Sequence, residues 1–278
     1  MARRLPGPRL RNDNRVSVVE DLRQAGCVYA EDEARILMNS ASTPDDLATM
    51  VAQRVAGDPL EYIVGWAEFY GTRVKVTRGV FVPRRRSEFL VECGIRLIDR
   101  LGVTPTGHSP VVLDLCCGTG ALGLTVAVHR SVELIAADID PVAVACAREN
   151  LNGLATVVEG DLFEPVARDL QGRIDVLLAN VPYVPSDARR LLPRESRDFE
   201  NPVAIDGGRD GLAILRRVAA QAELWLRPGR SVLLEVGQAQ VDAAEQIIRE
   251  SRLQPRLETS PDGETTVLVG TKAEKSVS

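Results

Sequence analysis

The apolar positions of this chain change period along its length, and the changes divide it into regions. From Val16 to about Val55 they recur at helical spacing: Val18, Val19 and Leu22 first, then Ala34, Leu37 and Met38 at i, i+3 and i+4. The next helix marks its own start, with Thr43 as cap, Pro44 at the first helical position and Asp45 and Asp46 in the first turn. The stripe Leu47, Met50, Val51 and Val55 follows. This pattern predicts a small helical domain over 16–57, behind a basic tail over 1–15. No catalytic residue types cluster in it, which leaves two readings: a packing accessory, or a docking surface for a large substrate.

Between 58 and 110 the period shortens and then lengthens again. Gly57-Asp58-Pro59 ends the helices, and alternation from Glu68 to Thr77 around Gly71 predicts a hairpin. The run Pro83-Arg84-Arg85-Arg86-Ser87-Glu88 then opens a helix with Phe89, Leu90, Cys93 and Leu97 on one face, and a Gly, Pro, Thr and Ser-rich linker over 102–110 closes the region. The triple Arg is read either as a solvated patch or as a place for an anion or acidic partner.

From Val111 strands and helices alternate. Strands are predicted at Val111 to Leu115, Val132 to Ala137, Thr156 to Glu159, Ile174 to Leu178 and Ser231 to Val236. Helices are predicted at Ala121 to His129, Pro141 to Asn150, Gly211 to Leu226 and Gln238 to Glu250. Such alternation argues an α/β fold with a doubly wound parallel sheet. Pro255 to Glu258 and Thr265 to Gly270 flank the turn Pro261-Asp262-Gly263 and predict a closing antiparallel hairpin, with a short tail over 271–278.

Composition narrows the classes. A length of 278 residues fits one large domain plus a smaller one, and no apolar run approaches the ~20 residues of a membrane-spanning helix. The net charge of −5 makes nucleic acid an unlikely partner. The cysteines Cys27, Cys93, Cys116, Cys117 and Cys146 contain no C-x-x-C, which points to a reducing cytoplasm. Neither His108 nor His129 stands at ligand spacing, so no metal is expected.

Two stretches carry candidate chemistry. The strand at Val111 runs into Asp114-Leu115-Cys116-Cys117-Gly118-Thr119-Gly120-Ala121-Leu122-Gly123, a G-x-G-x-x-G loop between a strand and a helix. There the backbone must turn tightly and approach a ligand with no Cβ in the way. Asp138 ends the next strand, where an acid accepts hydrogen bonds from ribose hydroxyls, so the loop and acid together imply a nucleoside-containing cofactor. A dehydrogenase would need a proton-handling group, yet His and Lys are scarce and no Tyr has a Lys four positions later. Asp114 at the head of the loop suits a cationic amino group better than a pyrophosphate, which favours S-adenosylmethionine. The second stretch, Asn180-Val181-Pro182-Tyr183 after the strand at Ile174, sets an amide, backbone carbonyls and an aromatic face at a strand's carboxyl end, where open α/β sheets bind ligands.

Asp114 to Gly120, Ala137 to Pro141, Gly160-Asp161-Leu162-Phe163 and Asn180 to Tyr183 together resemble the class I methyltransferases. More narrowly, the chain is similar to the protein-(glutamine-N5) methyltransferases that modify the Gly-Gly-Gln loop of peptide-chain release factors. The likeness takes in Pro59 to Gly65, Phe69 to Pro83, Asp206 to Leu212, and Glu235-Val236-Gly237 with Gln240. It implies a Rossmann-like class I domain over 111–270 and transfer of a methyl group from S-adenosylmethionine to a protein glutamine, in a release factor. It also implies that Cys116, Cys117, Gly118, Thr119 and Gly120 lie along the methionine part of the cofactor, that Asp138 binds its ribose, and that Asp161 and Leu162 border its adenine. Asn180, Val181, Pro182 and Tyr183 would then hold the acceptor amide, with Asn180 also among the residues that bind the cofactor. Val181 stands where the family has Pro, releasing a fixed φ and leaving loop rigidity open. Arg85 and Arg86 depart from the family's Pro-Arg-Pro-Glu-Thr-Glu, which leaves substrate choice open. The alternatives are an N-methyltransferase for nucleobases or small-molecule amines, and a cofactor-binding partner protein without catalysis.

Overall fold

The computed structural model describes residues 12–101 and 108–274, which fall into two compact units divided after Trp66. The first unit holds α1 (Asn12–Gln24), α2 (Ala30–Ser40), α3 (Pro44–Ala56) and the short α4 (Leu60–Val64). Thr43 Oγ1 accepts the Asp46 N–H at 3.1 Å, and Gly57 closes α3 in the left-handed conformation, φ 101°. Val18, Leu22, Ala34, Leu37, Leu47, Met50 and Val51 interlock as its core, and Leu60, Ile63 and Val64 pack against them. The helical unit thus runs past the expected end at 57, because the apolar side of α4 belongs to the same core. Its start also differs: α1 begins at Asn12, inside the stretch expected as a tail. The remainder of that stretch, much of the 102–110 linker and residues 275–278 of the terminal tail lie outside the described residues.

At the start of the second unit, β1 (Trp66–Phe69), whose first residue ends the first unit, and β2 (Thr72–Lys75) form a two-stranded hairpin, and Tyr70 and Gly71 turn it with positive φ. After α5 (Glu88–Leu101) come β3 (Val111–Leu115), α6 (Ala121–His129), β4 (Glu133–Asp138), α7 (Pro141–Asn150), β5 (Ala155–Glu159) and β6 (Ile174–Ala179). The short α8 (Arg194–Phe199) lies in a segment between β6 and α9 (Ala213–Trp225) that has no periodic signature. β7 (Leu226–Val236), α10 (Val241–Glu250), β8 (Leu253–Thr259) and β9 (Thr266–Lys272) complete the chain. β9 runs to Lys272, two residues beyond the expected end of the domain at 270.

The seven strands order as β5-β4-β3-β6-β7-β9-β8. The first five in that order pair in parallel, and β9 is antiparallel to both β7 and β8, closing the sheet with the expected hairpin. Alternate residues feed opposite faces. Leu113, Leu115 and Leu177 pack with Leu215, Val218 and Trp225 of α9 and Ile248 of α10. Val112, Val176 and Leu178 pack with Leu90 and Val91 of α5 and Leu122 and Val126 of α6. Covering both faces is what lets β3 and β6 be buried along their full length, as a parallel sheet requires. The strand order reverses between β3 and β6, so their carboxyl ends open a crevice at the switch point.

Candidate active site

Register places the candidate residues. Leu115 of β3 pairs with Ala137 of β4 on one side and with Ala179 of β6 on the other. Cys116, Asp138 and Asn180 are the next residues of these three strands, so they emerge side by side at the carboxyl edge of the sheet. A cleft of about 1110 Å³, its open mouth included, lies over this edge. Cys116, Cys117, Gly118, Thr119, Asp138, Asn180, Val181, Pro182 and Tyr183 all line it.

The loop after β3 is held by its own backbone. Cys116 takes φ 55°, Gly118 φ 56° and Gly120 φ 78°. The Cys117 N–H donates to Ala137 O at 3.1 Å, the Gly120 N–H to Cys117 O at 2.7 Å, and the Gly118 N–H to Asp138 Oδ2 at 2.8 Å. A Cβ on Gly120 would meet Leu151 at 2.9 Å, whereas at Gly118 it would meet nothing within 4 Å. Gly118 therefore presents bare backbone to open space, as a loop does where it passes against a ligand. Asp138 Oδ1 accepts the Asp140 N–H at 2.9 Å, so this carboxylate braces the loop while remaining partly exposed to the cleft. Burial pushes its pKa up, against the lowering effect of those backbone bonds.

Four predicted residues do not line the cleft. Asp114 is fully buried beneath the loop, where Oδ2 accepts the Gly123 N–H at 2.9 Å and pins the start of α6, while Oδ1 has no hydrogen-bond partner. Burial pushes its pKa up to about 7, with the Gly123 bond opposing and Asp138 adding to the rise. Gly120 caps α6. Asp161 forms an ion pair with Arg217 at 2.6 Å, and Leu162, at φ 53°, is packed in the core beside α9.

The loop after β6 is held by side chains from far away. Asn180 Nδ2 donates to Ser87 Oγ at 3.0 Å, and Ser87 Oγ donates to Glu235 Oε2 at 2.6 Å. Glu235 Oε1 accepts from Arg86 Nε at 3.0 Å and from the Tyr183 hydroxyl at 3.1 Å, and Arg86 Nη2 also donates to that hydroxyl. Burial, reinforced by Glu235, raises the Tyr183 pKa and keeps the phenol protonated. Gln240 Nε2 donates to Tyr183 O at 2.9 Å and to Asp210 O at 3.0 Å. Val181 is 2% exposed and belongs to the core beneath the loop. The loop is thus anchored although Val181 lacks the fixed φ of proline.

Motif reading gave Ser87 and Glu235 no role of their own and left Arg86 either solvated or beside an acidic partner, and the structure joins all three to Asn180 and Tyr183. Arg86 is no mere solvated charge, since it sits between Glu235 and Tyr183, and Arg84 pairs with the buried Glu200 at 2.5 Å. The sequence signal was the neighbourhood of the Arg run and of Glu235-Val236-Gly237, but only the fold brings the two together.

The comparisons accord with this geometry. Residues 87–192 match the family model described as the methyltransferase small domain. Release factor glutamine methyltransferase of Geobacter sulfurreducens is 32% identical over 206 residues, covering 72% of this chain and 69% of that protein. The 4-amino-L-phenylalanine/4-methylamino-L-phenylalanine methyltransferase of Streptomyces pristinaespiralis is also 32% identical, covering 72% and 68%. Among solved structures, a T. thermophilus 16S rRNA methyltransferase in complex with AdoMet and guanosine superimposes with a TM-score of 0.50 at 24% identity, covering 74% of this chain and 49% of that one, which shows the fold. Among the described residues no helix is long and apolar enough to cross a membrane. The open backbone at Gly118, the cleft and the Asp138 carboxylate fit a nucleoside cofactor. The chain belongs to the release factor glutamine methyltransferase family, and its cofactor is S-adenosylmethionine.

Proposed function

We propose that this protein methylates the side-chain amide nitrogen, N5, of a glutamine in a protein, that its substrate is the Gly-Gly-Gln loop of a peptide-chain release factor, and that it works in the cytoplasm. The observation that carries the reading is Asn180, placed at the end of β6 beside the glycine loop at the end of β3. A carboxamide nitrogen is a poor nucleophile because its lone pair is delocalised into the carbonyl. Asn180 Oδ1 and a backbone carbonyl, accepting its two N–H bonds, orient that nitrogen and favour positive charge developing on it. The carbonyl is assigned to Val181, because Pro182 O is packed toward Gly207, where an added Cβ would come within 2.7 Å of it. Tyr183 presents its ring to the planar amide. Bound S-adenosylmethionine would supply an electrophilic methyl on a sulfonium sulfur that departs as a neutral thioether, so no protein nucleophile is required. The proton lost from the amide nitrogen would leave to solvent by way of the oxygens that accept its N–H bonds.

On the cofactor side, Cys116 to Gly120 follow the methionine part and Asp138 accepts from the ribose. The adenine border assigned to Asp161 and Leu162 has less support, since neither lines the cleft. Mass spectrometry of release factor incubated with enzyme and cofactor tests the reading: a methyl on the glutamine of the Gly-Gly-Gln loop is expected, and an unmodified loop overturns it. A second reading, methylation of a small aromatic amine, draws on the Streptomyces relative and on Phe69 and Phe81 in the cleft wall. Transfer of label to such an amine with none to release factor would select it.

A further inference from the structure

Asn180 can serve an acceptor N–H only with its oxygen toward the cleft, and an amide side chain turned end for end presents an NH2 group instead. The shape of the two ends is nearly the same, so packing alone does not choose between them. Hydrogen bonding does. Ser87 is 2% exposed, and its hydroxyl carries a single hydrogen. That hydrogen is committed to Glu235 Oε2 at 2.6 Å, because a carboxylate oxygen only accepts. Toward Asn180, Ser87 Oγ has only lone pairs to offer, so Nδ2 must face it, as found at 3.0 Å. Oδ1 is therefore turned away from Ser87. The inverted amide would set Oδ1 against an oxygen lone pair and would aim N–H donors at an acceptor that also donates.

Glu235 is 3% exposed and is itself fixed from its other oxygen, by Arg86 and by the Tyr183 hydroxyl. One buried carboxylate thereby sets both ends of the Asn180 to Tyr183 loop, the phenol directly and the amide through one hydroxyl. We infer that Ser87 and Glu235 are positioning residues, whose two-bond relay fixes the orientation of the Asn180 amide and so selects acceptors that donate an N–H. The inference rests on the reading of Asn180 as the acceptor's partner.

The test is made on the full chain with Ser87→Ala, Ser87→Thr and Glu235→Gln. Nitrogen-15 NMR follows the Asn180 side-chain amide, assigned by its loss in Asn180→Asp, and steady-state kinetics and calorimetry follow turnover and cofactor binding. Ser87→Ala is expected to speed exchange of the Asn180 amide protons and to lower kcat by about tenfold, the scale of one lost buried hydrogen bond. S-adenosylmethionine affinity should stay within about threefold, since this bond is not made to the cofactor. Ser87→Thr retains the hydroxyl and should restore both readouts. Glu235→Gln can present an N–H to Ser87, freeing its hydrogen to point at Asn180 and letting the amide invert, so it should shift the Asn180 signal and depress kcat even if Ser87→Ala does not fold. An unchanged Asn180 signal in Ser87→Ala and Glu235→Gln, or a Ser87→Thr variant as impaired as Ser87→Ala, overturns the relay. The NMR readout needs no acceptor. Wild-type enzyme that leaves release factor unmethylated while the Asn180 signal responds as expected would therefore remove the acceptor assignment and keep the relay.

Discussion

The two loops at the centre of this molecule leave neighbouring strands and are built by opposite means. The loop after β3 is local: three positive-φ residues, backbone hydrogen bonds and the carboxyl groups of Asp114 and Asp138 hold it, all within one βαβ unit. The loop after β6 is remote: Ser87, Arg86, Glu235 and Gln240 converge on it from two other parts of the chain. A self-supporting loop suits a cofactor common to many enzymes. On the proposed reading, a loop held from outside lets the acceptor end change without disturbing the cofactor end.

If that division of labour is right, damage to one loop should spare the other. The largest effect is expected for Asn180→Ala: turnover on release factor falls about a hundredfold or more, the scale of a lost positioned polar group, while calorimetry shows cofactor affinity within a few-fold. Equal losses in both measurements would break the comparison. Asp138→Ala should show the reverse emphasis, with cofactor affinity weakened about ten- to a hundredfold, since two backbone N–H groups lose a charged acceptor and, on the proposed reading, the ribose loses its partner. Unchanged affinity would remove Asp138 from the cofactor site.

A smaller change is expected for Gln240→Ala, which strips two carbonyls of their donor. Urea unfolding should register a loss of about 1–2 kcal/mol, and turnover should fall more than cofactor affinity. The least effect on turnover is expected for Asp114→Asn, which bears instead on how stability varies with pH. With the Asp114 pKa raised to about 7 in the folded chain, the native state holds a proton that the unfolded state releases near its ordinary value. This carboxyl therefore subtracts stability as pH rises from about 4 to about 7, at about 1.4 kcal/mol for each unit separating the two values, and nothing further above that. Asp114→Asn should flatten this limb in unfolding curves taken from pH 4.5 to 7.5. A wild type whose stability is level across that window would show Asp114 to be ionised.

The same contrast explains how far sequence reading reached. The first loop was readable because its causes are close together: Gly118 and Gly120 announce the backbone conformation, and Asp138 follows one strand later. The strands and helices around it were readable for the same reason, as with Thr43 and Pro44 at the start of α3. The network around Asn180 was not, because Ser87 lies 93 positions away and its bond to Glu235 spans 148. No local period encodes such a meeting, and Arg86 looks like any surface charge until the sheet brings Glu235 beneath it. The segment carrying α8 escaped too. It is short, has no buried side chain of its own within the helix, and takes its position from contacts such as Glu200 with Arg84 and with the Val82 N–H.

The pairing of Leu115 with Ala179 acts as a ruler. Adjacent strands of a sheet stand about 4.8 Å apart because their hydrogen bonds require it, and no substitution in either loop can alter that figure. The gap between the two loops that wall the cleft is thereby set by backbone geometry before any side chain is chosen. On the proposed reading, new acceptors would be admitted by reshaping the mouth around Tyr183, Arg86 and the α8 segment, while the reach between the two loops stays the same.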